Sequence, residues 1–252
     1  MLQQTFLHIP GVSKEIESYI WQNDVLNWQE FLQSTNNLNS TNKLNLSPSK
    51  VFKIKEHLHK SLIALQHKNH QFFNLPSNEE WRIYHEFKDH CCFLDIETTG
   101  LSRYYNYITT IGLYDGENSR VFVKDQDLHE FTQEIAKYKV IVTFNGKCFD
   151  IPFLCESFPE IDFHHVHLDL RYLMRDLGYS GGLKKIEKEL GVNRDDELAE
   201  VDGFEAVRLW HRYQKGDAGA LELLKKYNEA DVVNLKTLME FTYDKLKEKT
   251  LF

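Results

Sequence analysis

Hydrophobic and polar positions follow different periods in the two parts of the chain. Before residue 90, apolar residues recur every three or four positions, which is the period of an amphipathic helix. This pattern predicts short helices at Lys14 to Gln22 and Leu26 to Leu32, with Ser13 as a candidate N-cap, and a longer helix from Val51 to Leu65. The stretch Ser34 to Ser49 is rich in Asn, Ser and Thr and predicts a loop.

From His90 onward, short segments typical of strands alternate with helical segments. The predicted strands are Cys91 to Glu97, Ile108 to Tyr114, Arg120 to Lys124, Val140 to Phe144 and Val166 to Leu170. Three strands in succession predict an antiparallel meander, and the later alternation predicts a mixed sheet with helices on its faces. We therefore expect an α/β domain at residues 86–252 and a small helical region at residues 1–85.

Composition narrows the class of protein. The chain has 252 residues, 42% of them hydrophobic and 27% charged, as in globular proteins. It contains no apolar run long enough to predict a membrane helix and no recognisable secretory signal, so we expect a cytoplasmic protein without a membrane partner. The four cysteines, which include no C-x-x-C pair, are expected to be reduced, and zinc at Cys91 and Cys92 is the less favoured alternative.

The charge is unevenly distributed. The formal net charge is −8, and residues 91–252 carry the whole excess, with 29 acids against 21 bases. Proteins that coat nucleic acid indiscriminately depend on Lys and Arg, so this balance argues against that class. Bound cations would cancel part of the excess if the acids form a metal site.

Three segments contain candidate catalytic residues. In the first, F-L-D-I-E-T-T-G, strand alternation places Asp95 and Glu97 on one face, where two like charges favour a cation between them. In the second, F-N-G-K-C-F-D-I-P-F-L, Asp150 begins a helix, and its alternative role is that of an ordinary N-cap. In the third, K-Y-N-E-A-D-V-V-N-L, Tyr227 and Asp231 are four residues apart on one helical face, and the alternative is a core tyrosine beside an exposed acid.

In this order, the three segments resemble the exonuclease motifs of the DEDD superfamily. The resemblance covers about residues 90 to 245. Within the superfamily, this part of the chain looks most like YprB-like ribonuclease H-like proteins and the exonuclease domain of family B DNA polymerases. In the histidine branch, the histidine stands five residues before the last aspartate, a position occupied here by Lys226. Tyr227 stands four residues before it, so the chain looks like the tyrosine branch. The fold implied is ribonuclease H-like.

The resemblance implies a metal-dependent 3′-to-5′ exonuclease that acts on the end of a single strand of DNA or RNA. It implies that Asp95, Glu97, Asp150 and Asp231 hold two divalent cations, Mg²⁺ or Mn²⁺, through the oxygen ligands that these ions prefer. Tyr227 would orient or deprotonate the attacking water. A non-catalytic nucleic-acid-binding protein and a structure-selective endonuclease remain alternatives.

Several further residues are candidates for binding the substrate. Asn145 either contacts the substrate or closes the turn that follows a strand, and the turn is the favoured interpretation. Phe149 and Tyr105 are candidates for stacking on a terminal base, and core packing is the favoured interpretation for both. In the N-terminal region, residues 6–13 contain Pro10-Gly11 in a loop similar to that of a helix-hairpin-helix, which would bind a phosphate. A plain packing module is the favoured alternative for this region.

Overall fold

The chain is divided into two compact units. The computed structural model describes residues 1–35, 44–198 and 201–251. Its units are Met1–Phe87 and Lys88–Phe252. The central part of the predicted loop at Ser34 to Ser49, residues 36–43, lies outside the described residues.

The N-terminal unit is helical. Its helices are α1 (Lys14–Gln22), α2 (Trp28–Ser34), α3 (Pro48–Gln66) and α4 (Tyr84–Phe87). Ser13 caps α1 as predicted, because its side chain accepts a hydrogen bond from the Ile16 N–H. A 3₁₀ turn, Leu2–Gln4, precedes the Pro10-Gly11 loop where a helix-hairpin-helix would have its first helix. The loop therefore lacks the first helix of a helix-hairpin-helix and has only α1 after it. Phosphate binding by this loop stays a prediction.

The second unit is built on a five-stranded sheet. The strands are β1 (Cys91–Thr98), β2 (Ile108–Tyr114), β3 (Ser119–Val123), β4 (Val140–Thr143) and β5 (Val166–Asp169). Their order across the sheet is β3-β2-β1-β4-β5. The β1–β2 and β2–β3 pairs are antiparallel, whereas the β1–β4 and β4–β5 pairs are parallel. The predicted meander and the mixed sheet are both confirmed, and β1 lies at the centre.

Helices flank this sheet. They are α5 (Phe131–Ile135), α6 (Asp150–Ser157), α7 (Leu170–Asp176), α8 (Leu183–Leu190), α9 (Gly203–Gln214) and α10 (Ala218–Leu251). One buried cluster combines sheet residues such as Leu94 and Ile111 with Phe131 and Phe153 from the helices. The long helix α10 packs on β1, β2 and β3. Among the described residues, no helix combines the length and apolarity that crossing a lipid bilayer requires.

Candidate active site

Three carboxylates from two distant parts of the chain meet beside the central strand. Asp95 and Glu97 project from the same face of β1 because successive strand residues alternate. Helix α10 crosses that face and contributes Asp231, which is buried. One carboxylate oxygen from each of the three lies within 4.8 Å of the others. The interpretation of Asp231 as an exposed acid on a core helix is therefore wrong.

Asp150 lies next to this group, outside the cluster of three. It is the first residue of α6, but the N-cap of that helix is Phe149, so the alternative role of Asp150 as an N-cap is wrong. Its carboxylate instead accepts a hydrogen bond of 3.2 Å from the backbone N–H of Ile96. Ile96 lies between Asp95 and Glu97, so this bond joins the start of α6 to the acidic part of β1.

The pKa values of these acids are raised. Burial is the largest cause for Asp95 and Glu97, and repulsion from Asp231 and Asp150 adds to it in both. Burial also raises the pKa of Asp150 to about 7. The pKa of Asp231 is raised by burial to about 6, against the opposing effect of the Arg194 guanidinium. Arg194 compensates part of the negative charge of these carboxylates, at Asp231, and bound cations would compensate more.

The donor set therefore fits hard divalent cations. Mg²⁺ and Mn²⁺ prefer carboxylate and water oxygens, and every side chain in the cluster supplies such an oxygen. Cys91 and Cys92, the alternative zinc ligands, lie outside this cluster as buried free thiols, and burial raises the pKa of both.

Arg194 is the basic partner of the site, and the sequence patterns did not indicate it. Its guanidinium forms an ion pair with Asp231 and donates two hydrogen bonds, of 2.6 and 2.7 Å, to the buried Glu187. Asn234 donates to the same Glu187 carboxylate at 2.9 Å. Arg194 follows α8 in an irregular segment, so no helical or strand period marks it, and only the tertiary fold brings it to Asp231.

Tyr227 lies one turn before Asp231 on α10 and is buried. The Arg194 guanidinium and the Lys184 ammonium lie 5.7 and 5.2 Å from the centre of its ring. Burial, together with repulsion from Asp231 and Glu97, raises the pKa of the phenol above its ordinary value. The phenol is therefore a hydrogen-bond donor at neutral pH.

Asn228 is a further residue of the site that the sequence analysis missed. Its amide donates a 2.7 Å hydrogen bond to the Asp95 carboxylate and a 3.3 Å bond to the Asp95 carbonyl. Gly112, the β2 residue paired with Asp95, makes room for it, since a Cβ there would lie 3.0 Å from the Asn228 side chain and carbonyl. Asn228 is three residues before Asp231, and this helical spacing was the available signal.

Asn145 closes a turn, as the favoured interpretation had it. Its φ is +68°, in the left-handed region that Asn tolerates, and its N–H donates to Asp169 at 2.8 Å. Its side-chain oxygen accepts a 2.5 Å bond from Arg171. Asp169 also accepts from the Lys147 N–H, so it holds the loop between β4 and α6.

A cleft of about 510 Å³ opens beside the acids. Its lining includes Glu97 and both predicted substrate-binding residues, Asn145 and Phe149. Phe149 also packs on Phe153 at a ring distance of 4.9 Å, so it combines core packing with a position in the cleft wall. The cleft is a space in which a ligand would lie against the Glu97 carboxylate.

The fold and the acidic site together define a ribonuclease H-like α/β protein. A family model of the RNase_H superfamily matches residues 92–243. The chain therefore belongs to the RNase_H superfamily, and the resemblance expected from the three motifs is confirmed at this level. No curated protein sequence matches the chain.

Several solved structures are similar to the chain. They include a family B DNA polymerase from the hyperthermophilic archaeon Pyrobaculum calidifontis, with 17% identity over 60% of this chain and 24% of that chain and a TM-score of 0.49. Brucella melitensis NrnC is 17% identical over 66% of this chain and 78% of its own, with a TM-score of 0.44. The Aedes aegypti Nibbler EXO domain is 10% identical over 69% and 92%, with a TM-score of 0.45. The match thus spans about a quarter of the polymerase.

Proposed function

We propose that the protein is a metal-dependent nuclease that hydrolyses phosphodiester bonds and removes nucleotides from the 3′ end of a DNA or RNA strand. The observation that supports this proposal is the convergence of Asp95, Glu97 and Asp231 in a protein of the RNase_H superfamily, where Glu97 also lines a cleft. The motif order supports the tyrosine branch of the DEDD exonucleases. Cytoplasmic residence stays a prediction from the sequence.

In this proposal, Asp95, Glu97, Asp150 and Asp231 hold two Mg²⁺ or Mn²⁺ ions. Bound together, such ions activate water and stabilise the charge that develops on phosphate and leaving-group oxygens. Asn228 keeps the Asp95 carboxylate in place, and Arg194 does the same for Asp231. Tyr227, whose raised pKa keeps it protonated, positions the attacking water through its hydroxyl.

The test compares two aspartates on the same helix. Asp231→Asn should abolish hydrolysis of end-labelled DNA and RNA in Mg²⁺ or Mn²⁺, because a metal ligand is lost. Asp244→Asn, at an exposed position of α10, should leave hydrolysis unchanged. Strands with a free 3′ end should shorten stepwise, and strands with a blocked 3′ end should stay intact.

Each alternative predicts a different result. Cleavage of blocked or circular strands would indicate an endonuclease instead of an exonuclease. A correctly folded wild-type protein that binds strands but degrades none would indicate a non-catalytic binding protein and would refute the proposal.

A further inference from the structure

The loop between β1 and β2 exposes large aromatic side chains. Tyr105 is 90% exposed and Tyr104 is 68% exposed, and Leu101 of the same loop is 79% exposed. Burying an aromatic ring removes a large area from water, so adjacent tyrosines that face solvent leave considerable surface available for contact. At this exposure, neither tyrosine ring is packed in the core of the residues that the structure describes.

The loop is nevertheless held in one conformation. The Thr99 N–H donates to the Tyr107 carbonyl at 3.0 Å and closes the loop at its base. Inside it, the Asn106 side chain donates to the Ser102 carbonyl at 3.1 Å and lies against Gly100, where a Cβ would come within 2.7 Å of it. These contacts tie the loop backbone that carries the exposed rings, so a ligand would not have to order that backbone on binding.

The charge of this loop differs from that of the unit around it. Between Glu97 and Asp115 the sequence has no acidic residue, and Arg103 is its one charged residue. The Arg103 guanidinium lies 4.8 Å from the centre of the Tyr104 ring and donates a 2.9 Å bond to the Tyr104 hydroxyl. A cation beside exposed rings suits a ligand that has both π faces and negative charge.

The same loop borders the candidate active site. Gly100 and Leu101 line the cleft together with Glu97, and Tyr104 and Tyr105 follow within the closed loop. We propose that Arg103, Tyr104 and Tyr105 form a platform on which bases of a single strand stack outside the cleft, so that longer strands bind more tightly than very short ones. The proposal rests on the proposed function, because it assumes that the strand end lies in the cleft.

Binding of fluorescent strands to protein variants tests the platform. Asp150→Asn serves as the common background, so that bound strands stay intact. In this background, Tyr104→Ala and Tyr105→Ala should each weaken binding of a strand of about twelve nucleotides by roughly tenfold. The same substitutions should leave binding of a dinucleotide unchanged, because it fills only the cleft. Tyr104→Phe and Tyr105→Phe keep the rings and should bind like the background protein.

Phe52→Ala is the matched control for loss of an exposed ring. Phe52 is 68% exposed on α3 of the N-terminal unit and should not affect binding of either strand. Equal losses for the dinucleotide and the longer strand, or no loss for either, would overturn the proposal. A change in oligomeric state on removing the tyrosines would assign the surface to a second copy of the chain and would overturn it as well. The proposed nuclease function fails separately, through absence of hydrolysis by the wild-type protein.

Discussion

Arg194 illustrates how one side chain serves two buried acids. Its guanidinium pairs with Asp231 of the candidate site and with Glu187, which is buried on α8. The Arg194 and Glu187 side chains are 7% and 2% exposed, so water does little to screen their charges. Each member of such a network depends on the others, since removing one leaves an uncompensated charge in the interior.

We expect Arg194→Met to lower the free energy of unfolding by about 3 kcal/mol, because Glu187 is left buried without its cation. The double variant Arg194→Met with Glu187→Met should recover much of that loss. Denaturant unfolding of both single variants and the double variant measures the coupling. If the two single losses simply add, the contact between Arg194 and Glu187 is not what stabilises this segment.

Among the secondary-structure elements, the contact between β2 and α10 sets the position of the acids. Gly112 on β2 allows the Asn228 side chain and carbonyl to approach, and Asn228 in turn donates to Asp95 on the neighbouring strand. Helix α10 also carries Tyr227 and Asp231. A displacement of this helix by a few tenths of an ångström would therefore move all three side chains relative to β1.

Gly112→Ala tests this dependence. The new methyl group would lie 3.0 Å from the Asn228 carbonyl, so α10 has to shift, and we expect about 1–3 kcal/mol of lost stability together with reduced hydrolysis. Gly219→Ala is the control on α10, where the new Cβ has only an ordinary contact of 3.4 Å. That control should keep full activity and gain stability through better helix propensity. Equal behaviour of the two variants would contradict the role assigned to Gly112.

The sequence predicts the elements better than the contacts between them. Period and turn residues place β2 at Ile108–Tyr114 and α1 at Lys14–Gln22, with the bounds the structure has. Strand spacing places Asp95 and Glu97 on one face, and helix spacing places Tyr227 beside Asp231. Only the resemblance to the exonuclease motifs grouped Asp231 and Asp150 with the two strand acids, and the structure brings Asp231 into one cluster with Asp95 and Glu97. Arg194 escaped notice because it lies in an irregular segment without a periodic signal. Asn228 has the helical spacing to Asp231, but its role depends on the space beside Gly112, which the sequence does not show.

At the scale of the whole molecule, buried histidines and buried carboxylates make the stability of the fold depend on pH in opposite directions. In the N-terminal unit, burial lowers the pKa of His8 to about 3, and in the second unit it lowers the pKa of His167 to about 3. A buried neutral histidine stabilises the fold above its unfolded pKa of about 6.5, and this stability is lost as the pH falls toward the folded pKa. The carboxylates of the candidate site have raised pKa values and act in the reverse direction.

The carboxylates lead to a prediction about pH and metal. Their contribution to stability is fully present below the unfolded pKa of about 4 and is lost as the pH rises through the folded pKa, about 6 for Asp231 and about 7 for Asp150. In chelator, we therefore expect the melting temperature to fall between about pH 6.5 and pH 8, where little of the opposing histidine effect remains. Added Mn²⁺ should raise the melting temperature most at about pH 8, because cations bind the deprotonated acids.

Asp150→Asn isolates the contribution of the carboxylates to stability, since the variant retains His8 and His167 and loses one of the buried acids. Its melting temperature in chelator should depend less on pH over the same range, and Mn²⁺ should stabilise it less than the wild type. Scanning calorimetry of both proteins across this pH range, with and without Mn²⁺, gives the melting temperature as a function of pH for each case. Two results would contradict the raised pKa values that we assign to the buried acids. One is a wild-type protein that becomes more stable toward about pH 8 in chelator, and the other is a Mn²⁺ effect of equal size at about pH 6.5 and about pH 8.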